Sequence, residues 1–264
     1  MEAAAVRDSA SPGRARAYVG HVWPIVGLAV LAGAGHIMSG PELFPRLPAA
    51  FWAMAVLAVA CDVRPLTSPR QPHRIAVFPS ICFAFAILLL WGFGPAVAVQ
   101  AVAVISSWRP GRGRWLVPVN LGKYGCALAA AAVVIRIGAP DGLAGAGLPG
   151  ARTVAVVVGA AAAWLAVEYG AELLALRLLT GARWWLTIRQ ALPFELLATA
   201  SLLLLGPILA VAARASVALV PLILVPLYAV HRMSRLTAEQ ERLTLLDPLT
   251  GLGNRKALVA RVAE

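Results

Sequence analysis

The amino-acid sequence predicts an all-α polytopic membrane helix bundle of about eight spans. Three observations carry that expectation. Hydrophobic residues make up 60% of the chain and charged residues 13%, with a mean hydropathy of +0.79, too apolar for a soluble domain of 264 residues. The apolar residues come in runs, most of them near the ~20 residues that a helix needs to cross a bilayer. The arginines fall in short segments between those runs, as they do in the cytoplasmic loops of membrane proteins. A net charge of +11 could also suit nucleic acid, but no basic stripe interleaved with aromatic residues occurs, so no such partner is expected.

In chain order, residues 1–20 are a polar, Arg-bearing cytoplasmic tail, and residues 21–232 form the membrane domain. The first apolar run, Val22 to Met38, follows Arg14 and Arg16 as a secretory leader would. So many apolar runs come after it that an uncleaved span is expected instead. The later runs cover roughly 48–62, 75–92, 94–108, 115–137, 153–179, 188–212 and 216–232, with 48–62 and 94–108 the shortest. Gly92-Phe93-Gly94-Pro95 supplies the break between the third and fourth. Prolines inside the runs, among them Pro118, Pro193, Pro207 and Pro221, kink helices, free backbone carbonyls and suit a bundle that encloses a cavity. Trp108, Trp115, Trp184 and Trp185 stand beside inner loops as interface anchors.

Charge orients the bundle. With the N-terminus inside, the inner segments hold Arg7, Arg14 and Arg16; Arg64, Arg70 and Arg74; Arg109, Arg112 and Arg114; and Arg177, Arg183 and Arg189. The outer segments hold only Arg46, Arg152 and Arg214, with Arg136 near a helix end. This asymmetry places both termini in the cytoplasm.

Ionisable residues within the runs are the candidates for function, because burying them in lipid is costly. Asn120 and Lys123 lie three apart on one face of the fifth run, and Glu168 and Glu172 lie four apart on one face of the sixth. Glu195 follows Pro193 in the seventh. A Lys123 pairing with Glu168 or Glu172 would satisfy both signs, either as a sensory polar cluster or simply as a device that fixes helix packing. His21, His36, His73 and His231 are scattered, and Cys61, Cys82 and Cys126 have no paired spacing, so neither a metal site nor a disulfide framework is expected.

Residues 233–246 turn polar and helical. Met233, Leu236, Gln240 and Leu243 follow a 3-4-3 spacing, a short seam through which two copies could pair. Asp247-Pro248 then provides an N-cap followed by a proline at the first helical position, and Gly251 and Gly253 punctuate a turn before Asn254 and Arg255.

The stretch Asp247-Pro248-Leu249-Thr250-Gly251-Leu252-Gly253-Asn254-Arg255 resembles the opening motif of the GGDEF family of diguanylate cyclases, D-x-L-T-G-L-x-N-R. Asp247, Leu249, Thr250, Gly251, Leu252, Asn254 and Arg255 match every specified position. In that family the motif follows a helix that leaves a sensor domain, and it opens an α/β domain that condenses two GTP into cyclic di-GMP. The resemblance, over residues 247–264, implies a bacterial inner-membrane sensor coupled to cyclic di-GMP synthesis, with a phosphodiesterase domain following the cyclase in many similar proteins. It implies homodimerisation through residues 233–246, since two GTP-loaded domains must face each other. GTP and Mg2+ are expected as ligands of the complete cyclase domain, not of these 264 residues, which contain no Gly-Gly-Asp-Glu-Phe signature and no catalytic residue. A small-solute carrier or substrate-binding membrane component would suit the kinked bundle and its central charges equally well, but has no use for the motif.

Overall fold

The computed structural model describes residues 46–62, 66–67, 76–107, 116–140, 150–180, 184–229 and 232. Helix α1 spans Ala49–Asp62, α2 Ser80–Trp91, α3 Phe93–Ser106, α4 Leu116–Gly138, α5 Ala151–Thr180 and α6 Trp184–Ala215. A 3-10 segment, Val217–Ile223, continues into a short α-helical stretch at 224–229. Between α1 and α2 a two-residue antiparallel ladder pairs β1 (Leu66–Thr67) with β2 (Ala76–Val77). The architecture is all-helical but for that ladder, and each apolar run from the second onward forms a helix. The N-terminal tail, the first run, the 233–246 linker and the 247–264 motif lie outside the described residues.

Helix α2 is apolar on every side (SICFAFAILLLW), so no orientation of it could present a polar face to water. It is buried accordingly, without a break from Ser80 to Leu88. Helices α1, α3 and α6 pack against it, and α4 touches it. These neighbours close a ring around it: α1 meets α3, α3 meets α4, α4 meets α5, α5 meets α6, and the 3-10 segment joins α6 back to α1.

The boundaries of α2 have local causes. The third apolar run predicts a helix from about residue 75, but α2 begins at Ser80. Ala76 and Val77 are engaged in the ladder, and a residue that precedes proline, as Phe78 precedes Pro79, is steered away from helical angles. At the other end Gly92 adopts φ +87°, a left-handed value that favours glycine, and its N–H bonds to the Leu88 carbonyl at 3.1 Å. Gly92 alone makes the break. Pro95 falls in the first turn of α3, where a missing N–H has no intrahelical acceptor to lose.

Among the described residues, three helices are long and apolar enough to cross a membrane, over Asn120–Gly138, Ala151–Ala171 and Leu196–Ala215. Their outward faces are apolar too. On α5, Val154, Val158, Ala162 and Ala166 recur every fourth residue and are exposed, whereas Ala160, Trp164 and Glu168 are buried. Leu204, Ile208 and Val211 make a similar exposed stripe on α6. In water such faces would be a liability, and a lipid bilayer is the surrounding that fits them.

With apolar tails outside, helices gain little from hydrophobic burial and associate through close backbone approach at small residues. Gly206 of α6 is such a point, since a Cβ there would stand 2.8 Å from Phe85 Cδ1 and 3.3 Å from the Cys82 carbonyl oxygen of α2. Phe85 has little freedom to retreat, being fully buried and set edge-on to Trp164 with ring centroids 6.1 Å apart. Gly206→Ala is therefore expected to cost about 1–3 kcal/mol of stability through overpacking. Gly170→Ala, at an exposed helical position with open space around its Cβ, should be neutral or gain up to about 1 kcal/mol. Unfolding of the purified protein in detergent reads both, and equal effects would mean that α2 and α6 are not in close contact at Gly206.

Candidate functional site

Two buried polar clusters lie among the described residues. The first spans α4 and α5, which run antiparallel, with Gly159 beside Val134 toward one end and Glu168 beside Lys123 toward the other. Lys123 Nζ stands 3.5 Å from Glu168 Oε1, with the two side chains only 12% and 6% exposed. Glu168 also accepts a 2.8 Å hydrogen bond at Oε2 from the indole N–H of Trp164, one helical turn earlier. Lys123 Nζ lies 4.8 Å from the centroid of the Tyr124 ring, within the range of a cation–π contact. Each carboxylate oxygen thus has a named partner, and the ammonium meets both a charge and a π face.

Aromatic contacts bind this cluster to the central helix. Phe85 of α2 meets Trp164 edge-on, and Phe78, just before α2, meets Tyr124 edge-on at 6.2 Å. Next to Glu168, the Tyr169 hydroxyl is 3.2 Å from Thr199 Oγ1, which ties α5 to α6. Of the sequence candidates, Lys123 and Glu168 are therefore brought together, and Asn120 lies half-buried one turn before Lys123 on α4. Glu172 and Glu195 belong to α5 and α6, but their side chains lie outside the described residues, as do all the motif residues from Asp247 to Arg255.

The second cluster was not among the sequence candidates. Asp62, the last residue of α1, is fully buried, and its Oδ1 accepts a 2.9 Å hydrogen bond from the backbone N–H of Ser80. That N–H opens α2 and has no intrahelical acceptor, and Pro79 at the cap position makes no side-chain bond to it. A carboxylate from another helix caps α2 in its place. Gln100 of α3, 2% exposed, donates through Nε2 to Ser80 Oγ at 3.1 Å. Asp62 Oδ2 and Gln100 Oε1 are buried with no hydrogen-bond partner. The signal for this cluster is present in the sequence, because Asp62 ends one apolar run and Gln100 interrupts another.

Among the described residues no group of three His, Cys, Asp or Glu side chains could hold a metal ion. The arrangement is one for binding, charge compensation and coupling between helices. No family model matches the chain, and neither a curated protein nor a solved structure matches it.

The ion pair has a direct test. Removing one partner of a buried pair leaves the other charge uncompensated, at a cost of about 3–5 kcal/mol. Lys123→Met is expected to destabilise the protein by that order, and Lys123→Met combined with Glu168→Gln should recover more than half of the loss. Denaturation of the purified variants in detergent measures the coupling, and additive losses would show that the two charges do not depend on each other.

Proposed function

We propose that this chain is the membrane-embedded input region of a cyclic di-GMP signalling protein in a bacterial inner membrane. The observation that carries the reading is the Asp247 to Arg255 motif, which stands one short polar segment beyond the last apolar run. A domain that uses GTP must lie in the cytoplasm, and the arginine distribution independently assigns that side to the C-terminus.

The proposal includes eight crossings with both termini inside. The shorter helices, such as the 12-residue α2, extend only about 18 Å. Crossings built on them include non-helical backbone, which a membrane tolerates where protein surrounds it. In this scheme residues 233–246 pair two copies, and Lys123 with Glu168 forms the polar centre of the sensor. A change at that centre shifts α4 against α5, and the shift reaches the paired linkers through α6 and the 3-10 segment that follows it. GTP and Mg2+ belong to the complete cyclase domain.

Topology and activity are tested separately. Cysteine labelling at positions 70, 112, 183 and 240 should report the cytoplasmic side, and labelling at position 145 the outer side. An outward report from position 240 would sink the signalling reading, because the motif would then face away from GTP. The purified 264-residue chain should form no cyclic di-GMP from GTP and magnesium. Joined in its own register to an active cyclase domain, residues 1–246 should make nucleotide output depend on Lys123, with Lys123→Met changing cyclic di-GMP per molecule at equal expression. An unchanged output would remove the ion pair from the sensing role.

A further inference from the structure

Asp62, Ser80 and Gln100 hold an arrangement that none of the proposed signalling explains. Asp62 is 0% exposed and Gln100 2%, and one residue, Ser80, joins them. On one side Ser80 gives its backbone N–H to Asp62 Oδ1; on the other its hydroxyl oxygen accepts from Gln100 Nε2. The two polar atoms left over, Asp62 Oδ2 and Gln100 Oε1, are both acceptors as they stand. Two buried acceptors cannot satisfy each other, and leaving both unpaired is costly. The one hydroxyl hydrogen of Ser80, which lies beside the Asp62 carboxyl, can serve at most one of them.

The charge balance points the same way. Among the described residues, the titratable or charged groups near Asp62 on its own helix and on α2 are Cys61 and Cys82, and neither supplies a positive charge. Helix α3 and the 3-10 segment contain no charged residue. On α4, Lys123 lies against Glu168, and Arg136 is in the last turn. Helix α6 carries Arg189, Glu195 and, in its last turn, Arg214. No ion pair to Asp62 is formed among the described residues. The N-terminus of α2 offers only a fraction of an elementary charge, which does not balance a fully buried carboxylate.

We propose that Asp62 and Gln100 form a proton-binding site, in which a proton on Asp62 Oδ2 is donated to the Gln100 side-chain oxygen. One proton then supplies the hydrogen that both orphaned oxygens lack and removes a charge to which the described residues offer no counter-ion. Asp62 Oδ1 still caps α2 by accepting from Ser80 N–H, so protonation leaves that bond in place. Loss of the proton puts a negative charge between α1, α2 and α3 and opens the Asp62–Gln100 bond. The site is thus a proton-controlled latch on the three helices at the N-terminal end of α2, and it does not depend on the cyclic di-GMP reading.

Infrared spectroscopy of the full chain in lipid, titrated through the neutral range in sodium-free buffer, tests the proposal. A carboxylic-acid carbonyl band is expected that disappears on raising the pH, is absent from Asp62→Asn, and moves in frequency in Gln100→Leu. Asp62→Asn should fold with nearly unchanged stability, because its amide can donate to Gln100 Oε1 while its oxygen still accepts from Ser80; Asp62→Leu should lose stability. A band that persists in Asp62→Asn belongs to another carboxyl and overturns the assignment. So does an Asp62 ionised throughout the range, with the Gln100 amide turned over to donate to it. Saturable stabilisation by Na+ at constant pH, lost in Asp62→Asn, would assign the site to a metal cation and overturn the proton.

Discussion

Everything in this bundle follows from the burial of α2. A helix of 12 residues is about 18 Å long, whereas the hydrocarbon core of a bilayer is about 30 Å thick. A helix that is apolar all round needs no water along its sides, but its ends still carry unpaired N–H and C=O groups. At membrane depth those groups have no solvent to turn to and must be met by protein. The first N–H of α2 is met by the Asp62 carboxylate, and Gly92 turns back to bond the Leu88 carbonyl at the far end. The buried polar residues around α2 are thus a consequence of its length, before any question of signalling arises.

The surrounding helices divide their faces according to the same constraint. On α4 and α5 the inward residues include Ala127, Ala131, Ala160 and Ala161, with Leu128, Tyr124 and Trp164 set among them. Small residues bring the backbones close, and the two large aromatics reach past them to Phe78 and Phe85 beside and within α2. Lys123 and Glu168 sit directly beside those aromatics. The ion pair is therefore linked to α2 through the rings of Tyr124 and Trp164. A carboxylate bonded to an indole that packs edge-on against the central helix joins the ion pair to α2 through direct contacts.

Most of the architecture was legible in the sequence because it is written in hydrophobic runs. Helices α1 and α3 to α6 coincide with the runs that predict them to within a few residues, and the Gly92 break falls where glycine and proline announce it. The start of α2 was not legible, because Ala76 and Val77 are as apolar as the helix they precede and only their pairing with Thr67 and Leu66 removes them from it. The Lys123–Glu168 contact could be anticipated from the cost of lone charges in lipid, and the Trp164 bond to Glu168 follows from their spacing of one turn. The choice of Glu168 as the partner of Lys123 needed the register of α4 on α5. The Tyr169–Thr199 bond needed the packing of α5 on α6 as well, since neither residue is exceptional in its own run.

Asp62 shows where sequence reasoning of this kind fails. A carboxylate at the boundary between an apolar run and an Arg-bearing loop looks like the start of solvent, and Arg64 two residues later strengthens that impression. The structure instead turns Asp62 inward, to the end of a helix that begins 18 residues later in the chain. The reason is that α2 has no capping residue of its own: Pro79 offers no side-chain acceptor, and Ser80 is already inside the helix with its hydroxyl engaged by Gln100. A helix deprived of a local cap takes one from elsewhere in the fold, here the last residue of α1. The position of Asp62 is therefore set by a deficiency at Pro79, a dependence that hydrophobic periodicity does not record.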